Sequence, residues 1–300
     1  MTAATDDTQL QALWDDRVRW SRAADAMKRR LDRARVAALW LSALGAVATT
    51  LSTTRLHGTA SMIATIVGTV LLAGATLLGT QFLTSDATRH WVQARAVSEA
   101  IKQQVFRFRA HATPYIDGAA LGRLQSEVAE IEQGAVDLSP YVPELSTPAG
   151  APPPAMTPEM YVRERIEKQI GDYYRPRARM HAQRSRRLRL LTAVLSAAAA
   201  VVAAVSAIPV LKNAVSPWVA VLTTLGAALA VYLTSRRYDY LVVSFTATAN
   251  QLQSRLNRWR ADGSPTDDTS WSAFVDDCEN AIAHENDSWM AKWSETKGGS

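Results

Sequence analysis

The sequence predicts an all-α membrane protein built from two tandem two-transmembrane helical hairpins, four spans in all, with long cytoplasmic amphipathic helices. Three observations carry this. Segments 36–54, 56–85, 190–211 and 213–235 contain no Asp, Glu, Lys or Arg, and uncharged apolar runs of about 18 residues or more match a hydrocarbon core near 30 Å thick. The flanking plan of basic stretch, span, short loop, span and long polar helix recurs after about 150 residues, the mark of an internal duplication. Between the repeats, 139–158 (SPYVPELSTPAGAPPPAMTP) holds seven of the twelve prolines, so it reads as an extended linker with polyproline character. The expected organisation is a first domain over 1–138, the linker over 139–158 and a second domain over 159–300.

In chain order, 1–35 is too long and too charged for a secretory signal peptide. Leu10, Trp14, Val18, Met27 and Leu31 keep a helical spacing there, which predicts a helix running into the first span. After the second span, Trp91, Ala94, Ser98, Ile101, Val105 and Phe108 alternate by threes and fours. That is a coiled-coil-like seam, from which the helix's arginines are expected to point away. In the second hairpin, Pro209 and Asn213 are expected to close the third span, and Ser216 with Pro217 to open the fourth as N-cap and first-turn proline. Leu241, Phe245, Thr248, Leu252, Leu256 and Trp259 repeat the seam. Trp271, Val275, Cys278, Ile282, Trp289 and Trp293 form an apolar stripe on a closing helix, with Asp276, Asp277, Glu279, Glu285 and Asp287 mostly beside it.

Charge placement orients the spans. Lys and Arg crowd the approaches at 17–35, 89–109, 175–189 and 236–260, whereas the two hairpin loops hold only Arg55 and Lys212. By the positive-inside rule both termini and the middle segment are cytoplasmic. The net charge of +5 is thereby accounted for by orientation and anionic headgroups, and no nucleic-acid partner is expected. The lone Cys278 excludes an intramolecular disulfide framework.

No charged or histidine side chain lies within the apolar body of a span, which argues against proton pumping and charge-coupled transport. A conduit would have to use hydroxyls. Thr65, Thr69, Thr76 and Thr80 share one face of the second span and are the candidate pore-facing residues, the alternative being that each hydroxyl bonds the carbonyl four residues back. Small residues recur at intervals of four, and Ala64, Gly68, Ala75, Gly79, Ala200 and Ala204 are the candidate helix-packing positions, serving either a subunit interface or contact within one hairpin. Enzymatic signals are lacking: no glycine-rich phosphate loop occurs, and His57, His90, His111, His181 and His284 show no metal-ligand spacing. Neither catalytic nor metal-binding or cofactor-binding residues are assigned. Cys278 reads as core, and Glu99, Glu164 and Glu167 read as ion-pairing residues on arginine-rich helices.

YVRERIEKQIGDYYRPRARMHAQRSRRLRLL at 161–191 opens with Tyr161 and Arg165, continues with Gln169 and Tyr174, and enters a hairpin through a basic run at 184–189. This resembles the bacterial SLATT superfamily (SMODS and SLOG associating two-transmembrane effectors), in particular its tandem domain-of-unknown-function branch. The helix at 89–109, with Trp91, Arg95, Glu99 and Phe106 or Phe108, and the closing helix at 271–293, with Glu279, Glu285 and Trp289, resemble the same family. Arg95, Glu99, Arg165, Gln169, Glu279 and Glu285 are its candidate polar positions. After the second hairpin, Ala249 or Asn250 stands near the expected glutamate, so that half departs from the pattern. The resemblance implies an inner-membrane effector of a nucleotide-linked bacterial conflict or anti-phage system. On activation it would form pores or perturb the membrane, as a homo-oligomer in the lipid bilayer answering to a cytoplasmic nucleotide-signalling partner. The alternative is a non-catalytic membrane scaffold that recruits a cytoplasmic partner through its helical layer.

Overall fold

A computed structural model describes the backbone of residues 2–145 and 149–294, and the side chains of 6–145, 149–212 and 214–284. The described residues are mostly helical, with no strand among them. The order is α1 (Thr2–Thr54), α2 (Gly58–Phe82), α3 (Ser85–Arg109), α4 (Ala120–Gln133), a 3-10 turn (Val136–Tyr141), α5 (Pro158–Tyr161) and two π-helical segments (Val162–Glu167 and Gln169–Tyr174). There follow α6 (Arg175–Val205), α7 (Lys212–Arg236), α8 (Tyr238–Ala261) and α9 (Asp268–Ser294). Four helices, in α1, α2, α6 and the stretch from α7 into α8, are long and apolar enough to cross a bilayer. The protein is an all-α membrane protein.

The chain forms two compact units, and each draws on both sequence halves. One comprises Met1–Lys28, Ser85–Ala178 and Val243–Ser300; the other comprises Arg29–Thr84 and Arg179–Val242.

The second unit holds the uncharged runs, and its surface is apolar: Trp40, Val70, Leu190, Val201 and Val231 are each more than 60% exposed. So much exposed hydrocarbon is the outer face of helices solvated by lipid, where the hydrophobic penalty for exposure vanishes. Within it α1 and α2 cross at glycines. A Cβ on Gly68 would stand 2.6 Å from Thr49 Cγ2, and one on Gly45 would stand 3.0 Å from the Gly68 carbonyl oxygen, so neither position accepts a side chain without separating the helices. Gly68→Val is expected to loosen this hairpin by about 1–3 kcal/mol, the usual cost of overpacking, read as a lower melting temperature in detergent. Gly79→Ala, facing open space, serves as the control and should leave it unchanged.

The third span's helix ends at Val205, ahead of Pro209, and Asn213 lies within α7, so the expectation that this pair closes the third span is corrected and the fourth span begins earlier than the Ser216–Pro217 pair suggests. Turns from Ile208 carry the chain into α7 at Lys212, and Val215 N–H donates to the Leu211 carbonyl. Pro217 therefore sits inside the helix, where its missing N–H forfeits one bond, to the carbonyl of residue 213.

In the first unit, α3 is the central element. Trp91, Val92, Ala94, Ile101 and Val105 are buried because α9 and α4 both pack on it. Its arginines do not all point away as expected: Arg89 is exposed, but Arg107 Nη2 donates to Asn280 Oδ1 at 2.8 Å and Arg107 pairs with Asp276 at 3.1 Å. With neighbours on more than one side, the helix beyond Arg89 has no face left wholly to water. On the part of α1 in this unit the buried seam runs through Leu10, Leu13, Trp20 and Ala24, at three-and-four spacing, whereas Trp14, Val18 and Met27, expected on that face, are only half-buried beside it. The proline-rich segment is strapped to this unit instead of spanning free space. Ala149 N–H donates to Asp15 Oδ1 (2.7 Å), Arg19 Nε donates to the Pro143 carbonyl (3.2 Å), and Met156 N–H donates to the Arg109 carbonyl (2.8 Å).

Candidate functional site, a buried ionic network

The closing helix α9 enters the first unit with an aromatic edge. Trp271 is buried, donates its indole N–H to the Ala110 carbonyl (2.7 Å), and meets Tyr161, Trp259 and Phe274 at ring-centroid distances of 5.5, 6.1 and 5.8 Å. Two turns on, Glu279 lies on the same buried face, with Val275, Cys278 and Ile282. The expectation that Glu279 stands beside the stripe is therefore corrected: its carboxylate is wholly enclosed, and it can be so because a cation meets it. Arg165 Nε and Nη2 donate to Glu279 Oε1 and Oε2 at 2.9 and 2.7 Å, and Tyr161 O–H donates to Oε1 at 2.9 Å. A bidentate guanidinium is the arrangement that best offsets removal of a carboxylate from water. A face of the Arg165 guanidinium rests on the Phe106 ring of α3, 4.1 Å from its centroid.

The segment bearing Tyr161 and Arg165 is where local structure departs most from expectation. Its buried side chains, Tyr161, Arg165, Ile166, Ile170 and Tyr174, recur at intervals of four and five. An α-helix with 3.6 residues per turn would rotate them off one face, whereas the wider i→i+5 turn of a π-helix keeps them aligned. The backbone takes the π form over Val162–Glu167 and Gln169–Tyr174. Gln169 is carried inward by this turn, and among the described residues its buried Oε1 accepts no hydrogen bond.

Further cations surround the pair. Glu99 of α3 lies 3.5 Å from Lys102 Nζ. Burial alone would raise the Glu99 carboxyl, but Lys102, Arg95, Arg165 and Arg17 together hold it below the ordinary carboxylate range. Burial pulls Lys102 down to about 8, with Glu99 opposing and Arg165 and Arg17 adding to the fall. Arg165 is held above its ordinary value although burial acts to lower it, because Glu279 outweighs that cost. Arg17 is lowered chiefly by burial; its guanidinium rests on Trp14 at 4.7 Å. Arg95 Nη2 donates to Tyr173 O–H at 3.0 Å. Burial, then Glu279, pushes the Cys278 thiol up, leaving it protonated and unreactive.

Lys102 supplies a pH signature. Its value in the fold lies below the ordinary 10.5, so the unfolded chain binds more protons between about 8 and 10.5, and stability rises with pH across that window. Below about 8 the cost of the buried ammonium is fully present. Lys102→Met is expected to stabilise the protein at pH 7 by about 1–3 kcal/mol and to abolish the rise. Thermal unfolding at pH 7 and pH 9.5 decides it, and an unchanged pH slope in the variant rules it out.

Of the residues singled out in the sequence, Arg95, Glu99, Arg165, Gln169 and Glu279 all lie in this unit, and Arg165 and Glu279 are in direct contact. Glu285 lies on α9 beyond the described side chains, as do Asp287, Trp289 and Trp293. Glu164 pairs with Arg163 and Lys168, and Glu167 with Arg260. Arg17, Lys102 and Tyr173 were not singled out as site residues. Arg17 was nevertheless signalled, since 10, 13, 17, 20, 24 and 31 continue one three-and-four seam.

In the second unit, Thr65, Thr69, Thr76 and Thr80 are exposed, and each hydroxyl donates to the carbonyl four residues back, at 2.9–3.2 Å. Among the small residues Gly68 is buried at the α1–α2 crossing, Ala64 and Ala75 are half-buried, and Gly79, Ala200 and Ala204 are exposed. Among the described residues no group of three or more His, Cys, Asp or Glu side chains is placed to hold a metal.

Residues 161–289 match the model of SMODS and SLOG-associating 2TM effector domain 1. Residues 18–120 match the model of a protein of unknown function, DUF4231. No curated protein and no solved structure matches the chain.

Proposed function

Taking as premise that the chain belongs to the SLATT family of two-transmembrane effectors, in a tandem form, we propose that it is a bacterial inner-membrane effector of a nucleotide-linked conflict or anti-phage system. It forms pores or perturbs the membrane on activation, as a homo-oligomer with four spans per chain and both termini in the cytoplasm. It acts without catalysis, and a cytoplasmic nucleotide-signalling partner delivers the trigger. The observation that supports this reading most is the enclosed Arg165–Glu279 pair with its surplus of cations. Buried charge of this kind costs stability unless every partner stays in place, so it suits a set of helices whose packing is meant to change. Arg17 of the network lies on α1, the helix that continues to Thr54.

The test is release of carboxyfluorescein from vesicles of phosphatidylethanolamine and phosphatidylglycerol carrying the purified full chain. Release that depends on protein density, and that changes in Thr69→Val/Thr76→Val, is expected. A second reading, a non-conducting scaffold that recruits a partner through the helical layer, draws on the threonine hydroxyls, each already committed to its own helix. Tight vesicles at every density, together with unimpaired growth and membrane potential in cells expressing the chain, would favour the scaffold and reject the pore.

A further inference from the structure

Where the spans of the second unit end, one acid stands between two bases. Asp32 pairs with Arg35 at 3.1 Å and also with Arg236. Arg35 is 9% exposed, and the Arg236 guanidinium lies near the rings of Tyr232 and Tyr238. Two guanidiniums on one carboxylate leave an uncompensated positive charge.

Beginning at Arg35 is a cleft of 360 Å³ between α1, α2 and α7, walled by Leu39, Leu72, Ala75, Gly79 and Val231, with Leu83 and Ser235 beside Arg35 at its basic end. From Arg35 to Ser42 and from Leu72 to Leu83 the walls run about 10 to 16 Å along the helix axes, at about 1.5 Å per residue. The small side chains of Ala75 and Gly79 create the hollow, and nothing lies within 4 Å of where a Gly79 Cβ would stand. An apolar cleft at membrane depth is filled by hydrocarbon, since water there has too few polar partners.

We propose that this cleft is a binding site for an anionic phospholipid. The phosphate sits against Arg35 and Arg236, and one acyl chain lies along Leu39, Leu72 and Gly79. Arg35 lines the end of this groove between spans and Arg236 is held beside it through Asp32, and basic side chains at the end of such a groove are the chemistry that selects anionic headgroups. Charge complementarity chooses this occupant over a neighbouring apolar helix, which would bury the surplus guanidinium charge without a counterion. The inference concerns the membrane unit alone and does not depend on what the ionic network does.

The experiment is native mass spectrometry of the detergent-purified full chain, titrated with palmitoyl-oleoyl phosphatidylglycerol or with phosphatidylcholine of the same chains. Wild type should retain phosphatidylglycerol about fivefold better, roughly the factor worth one basic residue at a lipid surface. Arg35→Gln should reduce phosphatidylglycerol to the phosphatidylcholine level, and Arg35→Lys should keep the preference. Gly79→Leu fills the hollow without touching Asp32, Arg35 or Arg236, so it should lower retention of both lipids. Equal retention of the two lipids by wild type overturns the proposal, as does retention unaltered by Gly79→Leu. So does efficient disulfide capture between copies of a Gly79→Cys, Cys278→Ser chain, which would put a second copy in the cleft.

Discussion

Glu279→Ala destabilises the protein by about 3–5 kcal/mol, the penalty for leaving one member of a buried pair without its partner. Arg165 cannot be relieved by losing its proton, because a guanidinium stays charged throughout the accessible pH range. It is 3% exposed, with a face of its guanidinium closed by Phe106, so water does not replace the lost carboxylate. Tyr161 loses its acceptor in the same step, adding an orphaned hydroxyl. Replacing the whole group by hydrocarbon, as Tyr161→Phe/Arg165→Met/Glu279→Met, removes both charges and the orphan together and should restore most of the loss. Thermal unfolding followed by intrinsic tryptophan fluorescence reads both variants. A single substitution no more harmful than the triple would mean that the pair is open to solvent.

Trp271→Ala costs about 3–5 kcal/mol as well, by a different route: it empties a large volume in a packed core. The indole touches Tyr161, Trp259 and Phe274 and closes a hydrogen bond to the Ala110 carbonyl. Trp271→Phe keeps much of the ring packing and forfeits the N–H, so about 1–3 kcal/mol is expected from the stranded carbonyl. Denaturant unfolding separates the two. A loss below about 1 kcal/mol for Trp271→Ala would show that the aromatic group does not hold α9 against the body of the unit.

The apolar faces of α8 and α9 were readable from spacing, that of α1 only in part. Phe245, Thr248, Leu252, Leu256 and Trp259 are all buried on α8, and Trp271, Val275, Cys278 and Ile282 on α9, because three-and-four spacing selects one helical face whatever covers it. What spacing does not reveal is what covers it. Glu279 reads as a solvated acid until Arg165 is found 114 residues away in sequence, and Arg107 of α3 reads as outward until α9 is placed on it. Charge patterning assumes that ionised groups face water, and that assumption fails where two distant segments neutralise each other. The π-helical turn left a mark, the four-and-five recurrence from Tyr161 to Tyr174, but a helical reading at 3.6 residues per turn has no place for it. Pro217 misled for the complementary reason. Proline favours a first turn, yet the chain tolerates one missing bond where turns after Ile208 already start the helix.

The interleaving of the two sequence halves within the unit around α3 bears on how this gene can be cut and inherited. A product ending near residue 150 would present α3 without α9, and one beginning there would present Glu279 and Trp271 without Phe106 and the Ala110 carbonyl. Fission of the reading frame at that point should therefore yield two polypeptides that are each lost to proteolysis alone and accumulate when co-expressed. Any exchange of one half between related genes must preserve both sides of the α3–α9 seam.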